Sequence, residues 1–275
     1  MRKRKRIAAN ALLGGVLVGL LIVAAVLGVV WTPHDPLKLN FISRLKPPGG
    51  AFALGTDEFG RDELSRLMAG ASISVWISLL TVSCAVVAGT LIGAIAGFVR
   101  GWTDRIIMAF INALLAFPGL LLALGLLAVF GANKYGIILA LSLAYTPSVT
   151  RIVRGTVLSL REKEFIESSR VLGNSELYTL CRHILPNCVA PLTVLATSMF
   201  GWVILAESAL SFLGLGVPPP APTWGNMLAA ARPFMAQASY LSIFPGLSIA
   251  LTLLGINLLG DAVRDRLDPR MRGSR

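Results

Sequence analysis

Acidic residues are scarce in this sequence: 14 Asp and Glu face 25 Lys and Arg, and Glu207 alone of the acids falls inside a long apolar stretch. Cysteine and histidine are scarcer still. Cys84, Cys181 and Cys188 show no paired metal spacing, and an odd count excludes a complete disulfide framework. They read as small hydrophobes. The only two histidines, His34 and His183, fall on opposite sides of the membrane in the topology derived below, so they cannot share a metal. No Gly-x-x-x-x-Gly-Lys-Ser/Thr run occurs, which excludes a P-loop in this chain.

What is abundant is apolar. Hydrophobic residues make up 55% of the chain, charged residues 14%, and the mean hydropathy is +0.73, a composition whose solvent is lipid. The net charge of +11 does not indicate nucleic acid, because the basic residues form short clusters between apolar runs and no stripe with interleaved aromatics.

The apolar runs predict an all-α membrane protein with six transmembrane helices, each needing about 20 residues. The first, Ile7 to Trp31, is 25 residues long. That is too long for a signal-peptide core, so it reads as an uncleaved span, closed by Thr32-Pro33-His34-Asp35-Pro36. Residues 32–69 form an extramembrane linker, with a short interfacial helix expected near Asp62 to Met68. A five-helix core is expected over 70–262. Its first span lies in the charge-free run Leu67 to Val99, and the next runs from Ile106 to Asn133 with a kink at Pro118-Gly119 that serves packing or a gate. Tyr135 to Thr150 spans only 16 residues, roughly 24 Å. Arg151 and Arg154 complete it by extending their stems to headgroup water. The fifth span runs from near Cys188 toward Gly214 and the sixth lies within Tyr240 to Gly260, followed by a basic tail, 263–275.

With six spans, 18 of the 25 basic residues fall on the side of both termini, which predicts cytoplasmic termini. The segment 159–187 then lies in the cytosol. Ser159-Leu160-Arg161-Glu162 matches a capping box that would start a helix there. Gly173 can supply the left-handed residue that ends it, and Asn174 or Ser175 can cap a second helix ending at Pro186. Such an elbow either docks a partner or rests on lipid headgroups.

Within ESSRVLGNSELYTLCRHILPN, the run Glu167-Ser168-Ser169, then Gly173, then Ile184-Leu185-Pro186-Asn187 resembles the Glu-Ala-Ala…Gly…Leu-Pro loop of ATP-binding-cassette importer permeases. Two serines replace the usual alanines, and His183 stands where isoleucine is common. Three further stretches resemble the dipeptide, oligopeptide and nickel permeases. They are Leu54-Gly55-Thr56-Asp57 with Gly60-Arg61-Asp62 and Ser65-Arg66-Leu67; Leu210 to Gly216 with Thr223-Trp224-Gly225; and Asn257 to Asp261 with Arg264-Asp265 and Leu267-Asp268-Pro269. Ser72 departs from that pattern, where arginine is usual.

The resemblance implies a type I importer permease fold in the bacterial inner membrane, moving di- or oligopeptides, or alternatively nickel or a metal chelate, by alternating access. It implies a second homologous permease, two cytosolic ATPases that bind ATP and Mg, and an extracytoplasmic binding protein as partners, with membrane lipid around the spans. It implies no enzyme activity, cofactor or metal in this chain. Glu167, Ser168, Ser169, Arg170, Gly173, Leu185 and Pro186 would form the loop that docks on the ATPase. Glu207 is the possible functional residue inside a span. We expect it near the outer surface, paired with a loop or a partner. An ATPase-independent secondary transporter is the competing class, for which Glu207 and Pro118-Gly119 are the only hints.

Overall fold

A computed structural model of the protein describes residues 2–267. Met1 and the tail beyond Leu267, including Asp268-Pro269, lie outside the described residues. Ten α-helices follow in order: α1 Arg2–Val30, α2 Glu63–Val99, α3 Gly101–Leu115, α4 Gly119–Phe130, α5 Lys134–Arg161, α6 Glu164–Val171, α7 Glu176–Thr179, α8 Leu185–Phe212, α9 Trp224–Ala231 and α10 Tyr240–Leu267. No strand longer than an isolated bridge occurs among the described residues. A chain solvated by lipid must satisfy its backbone polar groups internally, and the helix does so within one segment.

Five helical runs are long and apolar enough to cross a membrane, and a sixth arises if the bent pair α3–α4 counts as one span. The kink expected at Pro118-Gly119 is a full break of 95°. Pro118 has no N–H to continue the ladder, and α4 starts afresh at Gly119.

The α2–α5 packing forms the centre of the bundle, and it is a close one. Gly89, Gly93 and Gly97 recur every four residues on α2, so they line one face. A Cβ added at Gly93 would meet the Thr150 carbonyl at 2.6 Å and Val153 Cβ at 2.9 Å. Against this seam lie Val149, Val153 and Val157, all fully buried. Small residues let backbones approach where lipid supplies no hydrophobic drive between helices.

Residues 32–62, within the extramembrane linker expected over 32–69, are internally structured. They fold into a lobe capping one end of the bundle. Asp57 receives Arg61 Nε at 2.6 Å and Arg66 Nε at 3.3 Å, with all three side chains buried. Thr56 Oγ1 donates to the Ser43 carbonyl, and the Tyr240 hydroxyl lies 2.9 Å from the carbonyls of both Lys46 and Thr56. Burial pushes the Glu58 carboxyl above the usual carboxylate range, against an opposing backbone hydrogen bond.

No separate interfacial helix exists over Asp62 to Met68. Asp62 accepts from Ser65 N at 2.8 Å as the N-cap of α2, which continues unbroken for 37 residues, about 55 Å. Ser72 links α2 to α1. Its hydroxyl donates to the Ala25 carbonyl of α1, at a crossing so tight that a Cβ at Gly28 would collide with Met68 and Ser72.

Candidate functional site

At the end of the bundle opposite the lobe, α5 leads through Glu162 and Lys163 into α6, and a sharp turn leads from α6 to α7. The α6 terminus is locked by two backbone bonds: Gly173 N to Arg170 O at 2.9 Å and Asn174 N to Ser169 O at 3.2 Å. That pair of bonds is a Schellman motif. It needs a left-handed residue, and Gly173 has φ +80°. Ser175 then accepts from Tyr178 N and caps α7.

Side chains fasten the two helices to each other. Ser169 Oγ lies 3.1 Å from Thr179 Oγ1 and accepts from Asn174 Nδ2 at 3.1 Å, with Ser169 and Thr179 both buried. Arg170 Nε sits 3.2 Å from Glu176. Ile166 and Ile184 are fully buried beneath them. Glu167 and Ser168 face outward, Leu185 is half-buried and Pro186 is exposed. The tip of the elbow is apolar and open: Val171 is 83% exposed, Leu172 80% and Leu177 69%.

Two boundaries differ from the sequence reading. No helix starts at Ser159, which lies in the last turns of α5. A capping box stabilises by only about 1 kcal/mol, whereas Val153 and Val157 pack closely on the α2 glycines through many dispersion contacts, so packing carries α5 through to Arg161. Glu162 pairs with Arg100 at 3.2 Å instead of reaching back to Ser159. Nor does the second helix end at Pro186. Leu180–Ile184 form a widened π-turn in which Leu185 N bonds the carbonyl of Leu180, and Pro186, which has no N–H to place, enters α8 just beyond it.

Arg151 and Arg154 find protein partners on α3, which the sequence reading did not foresee. Arg151 Nη2 donates to Asn112 Oδ1 at 3.0 Å, and Arg154 grips Asp104 through two nitrogens at 2.5 and 2.7 Å. Sequence reasoning missed Asp104. The available signal was a single acid in the otherwise basic turn from Arg100 to Arg105.

Glu207 lies apart from the elbow, fully buried toward the lobe end of α8. Ser211 Oγ donates to its Oε1 at 2.7 Å and Ser74 Oγ to its Oε2 at 3.2 Å. Thr223 Oγ1 reaches Ser211 Oγ at 3.4 Å, and Thr223 closes a capping box with Asn226 at the start of α9. The acid therefore joins α2, α8 and the loop before α9. Among the described residues no three His, Cys, Asp or Glu side chains converge as a metal set.

Residues 89–273 match the family model described as binding-protein-dependent transport system inner membrane component. A putative peptide transport system permease protein of Brucella suis biovar 1 is 42% identical over 94% of this chain and 88% of its own length. The dipeptide transport system permease protein DppC of Alkalihalophilus pseudofirmus is 38% identical over 95% of this chain and 86% of its own. The glutathione transport system permease protein GsiD of Escherichia coli O6:K15:H31 is 40% identical over 96% and 87%. Among solved structures, the inward-facing MetNI methionine ABC transporter aligns with a TM-score of 0.60 at 18% identity, covering 74% of this chain and 96% of that one. The fold is thus that of an importer permease. With residues 89–273 matched, two thirds of its length, and relatives about 40% identical along nearly the whole of it, the chain belongs to the family of binding-protein-dependent transport system inner membrane components, the multi-pass permeases of ATP-binding-cassette importers.

Proposed function

We propose that this chain is one permease of a heterodimeric importer that carries di- or oligopeptides into the cytoplasm by alternating access. A second homologous permease completes the pathway, two cytosolic ATPases bind ATP and Mg, and an extracytoplasmic binding protein delivers substrate at the lobe end. Both termini and the elbow then face the cytoplasm, in accord with the bias of basic residues.

The observation that carries this reading is the elbow's combination of rigidity and exposure. A helix end fixed by a Schellman turn and a Ser169–Thr179 link transmits displacement, where a slack loop would absorb it. Its tip holds Val171, Leu172 and Leu177 out in solvent, an apolar patch of the kind that marks a protein partner. We assign Glu167, Ser168, Ser169, Arg170, Gly173, Leu185 and Pro186 to the ATPase-docking loop and its supports.

Gly173→Pro tests the assignment. Proline fixes φ near −65°, opposite in sign to the +80° that the turn requires. The variant should insert and assemble yet hydrolyse ATP without importing peptide. Unchanged uptake would end the assignment. The substrate class follows the relatives' names, and the similarity to a glutathione permease supports glutathione, itself a tripeptide, as the second reading. Ligand retention by the cognate binding protein separates the two.

A further inference from the structure

Apolar packing does little to hold α3. Of its side chains only Ile111 is buried, while Trp102, Ile106 and Phe110 are 76%, 65% and 66% exposed. Between α3 and the α2–α5 slab lies an apolar cleft of about 380 Å³, lined by Ile92, Ile107, Leu114 and Leu143 among others. Polar contacts fasten α3 instead. Arg154 holds Asp104 in a two-bond fork, and Arg151 donates to Asn112 two turns further along α3. Two more links close the corner where α2 turns into α3: Arg161 donates to the Phe98 carbonyl, and Arg100 pairs with Glu162.

All four partners on the other side lie between residues 151 and 162, the final stretch before α6. A two-bond guanidinium–carboxylate contact fixes angle as well as distance, so it transmits rotation where a single-point contact would swivel. Arg154 and Asp104 keep only 28% and 16% side-chain exposure, which limits screening by salt. At its far end α3 meets the 95° break into α4.

We propose that the Asp104–Arg154 pair is the positioning link that makes the bent helices α3 and α4 move with α5 and α6, so that displacement of the elbow re-aims α4 about its break. This rests on the reading of the elbow as the ATPase-docking element. The seam of Gly89, Gly93 and Gly97 makes α2 and α5 one body, and the pair extends that body to α3, which its own packing leaves loosely held.

The test uses the whole complex, both permeases with their ATPases, in proteoliposomes. Tritium-labelled alanyl-alanine or glutathione serves as the probe, whichever the cognate binding protein retains. Substrate imported per ATP hydrolysed is measured for Asp104→Asn, Arg154→Gln and the exchanged double variant Asp104→Arg/Arg154→Asp, alongside complex yield. Each single variant should assemble and hydrolyse ATP while import per ATP falls about tenfold, the scale of coupling carried by one such contact. The exchanged pair should recover at least a third of the lost efficiency, and Asp104→Glu should keep most of it. The proposal is overturned if import per ATP stays at the unsubstituted value, if the exchanged pair is no better than the single variants, or if import falls only in step with complex yield. Failure of the elbow reading looks different: the unsubstituted permease would then purify without ATPases.

Discussion

Gly93→Ala adds one carbon at the closest point of the α2–α5 seam. That carbon would stand 2.6 Å from the Thr150 carbonyl oxygen, 2.9 Å from Val153 Cβ and 3.1 Å from Arg154 N. Two of these three are backbone atoms, which no rotamer change can move. Ordinary carbon contacts sit at about 3.5–4.0 Å, so α5 must retreat by roughly 1 Å, and a gap of that size forfeits about a quarter to a half of each neighbouring dispersion contact. Val149 and Val157 lie on the same seam and share the loss. Overpacking of this kind costs about 1–3 kcal/mol, which alanine's helix-propensity advantage of about 1 kcal/mol offsets only in part. The net cost of about 1 kcal/mol should lower the thermal unfolding midpoint of the detergent-solubilised complex by about 2–4 °C. Gly19→Ala on α1 is the control, since a Cβ there meets nothing within 4 Å. It should leave the midpoint unchanged or slightly raised. If Gly93→Ala unfolds at or above the temperature of Gly19→Ala, the seam is not close-packed and the reasoning fails.

Ser169→Ala removes the hydroxyl that Thr179 and Asn174 share and should cost about 1 kcal/mol locally, read as faster hydrogen exchange at the Gly173 and Asn174 amides, with import lowered but not abolished because the backbone turn remains. Unchanged exchange would show that the backbone turn alone holds the elbow. Glu207→Ala strips the acceptor from the Ser74 and Ser211 hydroxyls and opens a cavity, for about 3 kcal/mol, whereas Glu207→Gln keeps an acceptor and should cost about 1 kcal/mol. Equal denaturant midpoints for the two variants would contradict a hydrogen-bonding role for that carboxyl.

The spans were legible because charge-free apolar runs are a local signal, and the elbow turn because Gly173 sits where only a left-handed residue ends the helix. What stayed hidden depended on partners distant in sequence. Gly89, Gly93 and Gly97 stand four apart in plain view, but nothing local identifies Val149, Val153 and Val157 as the surface they meet. The Ser159 capping box failed for the same reason: a cap stabilises a helix start weakly, and burial along α5 outweighed it. Arg151 and Arg154 looked like headgroup anchors because Asp104 and Asn112 are 39 to 50 residues away. The lobe over 32–62 read as a linker since its core is built of charge pairs, Asp57 with Arg61 and Arg66, and hydropathy does not register those. At the elbow, Ser168 and Ser169 looked equivalent. Burial separates them, with Ser169 joining the two helices and Ser168 facing solvent.

The most direct measurement is uptake by proteoliposomes that contain both permeases and the ATPases, with ATP enclosed, the loaded binding protein outside and no ion gradient. Labelled peptide should accumulate against its gradient, and accumulation should stop when ATP is omitted or when Gly173→Pro replaces the native chain. Accumulation that proceeds without ATPases and follows an imposed proton or sodium gradient would contradict the account.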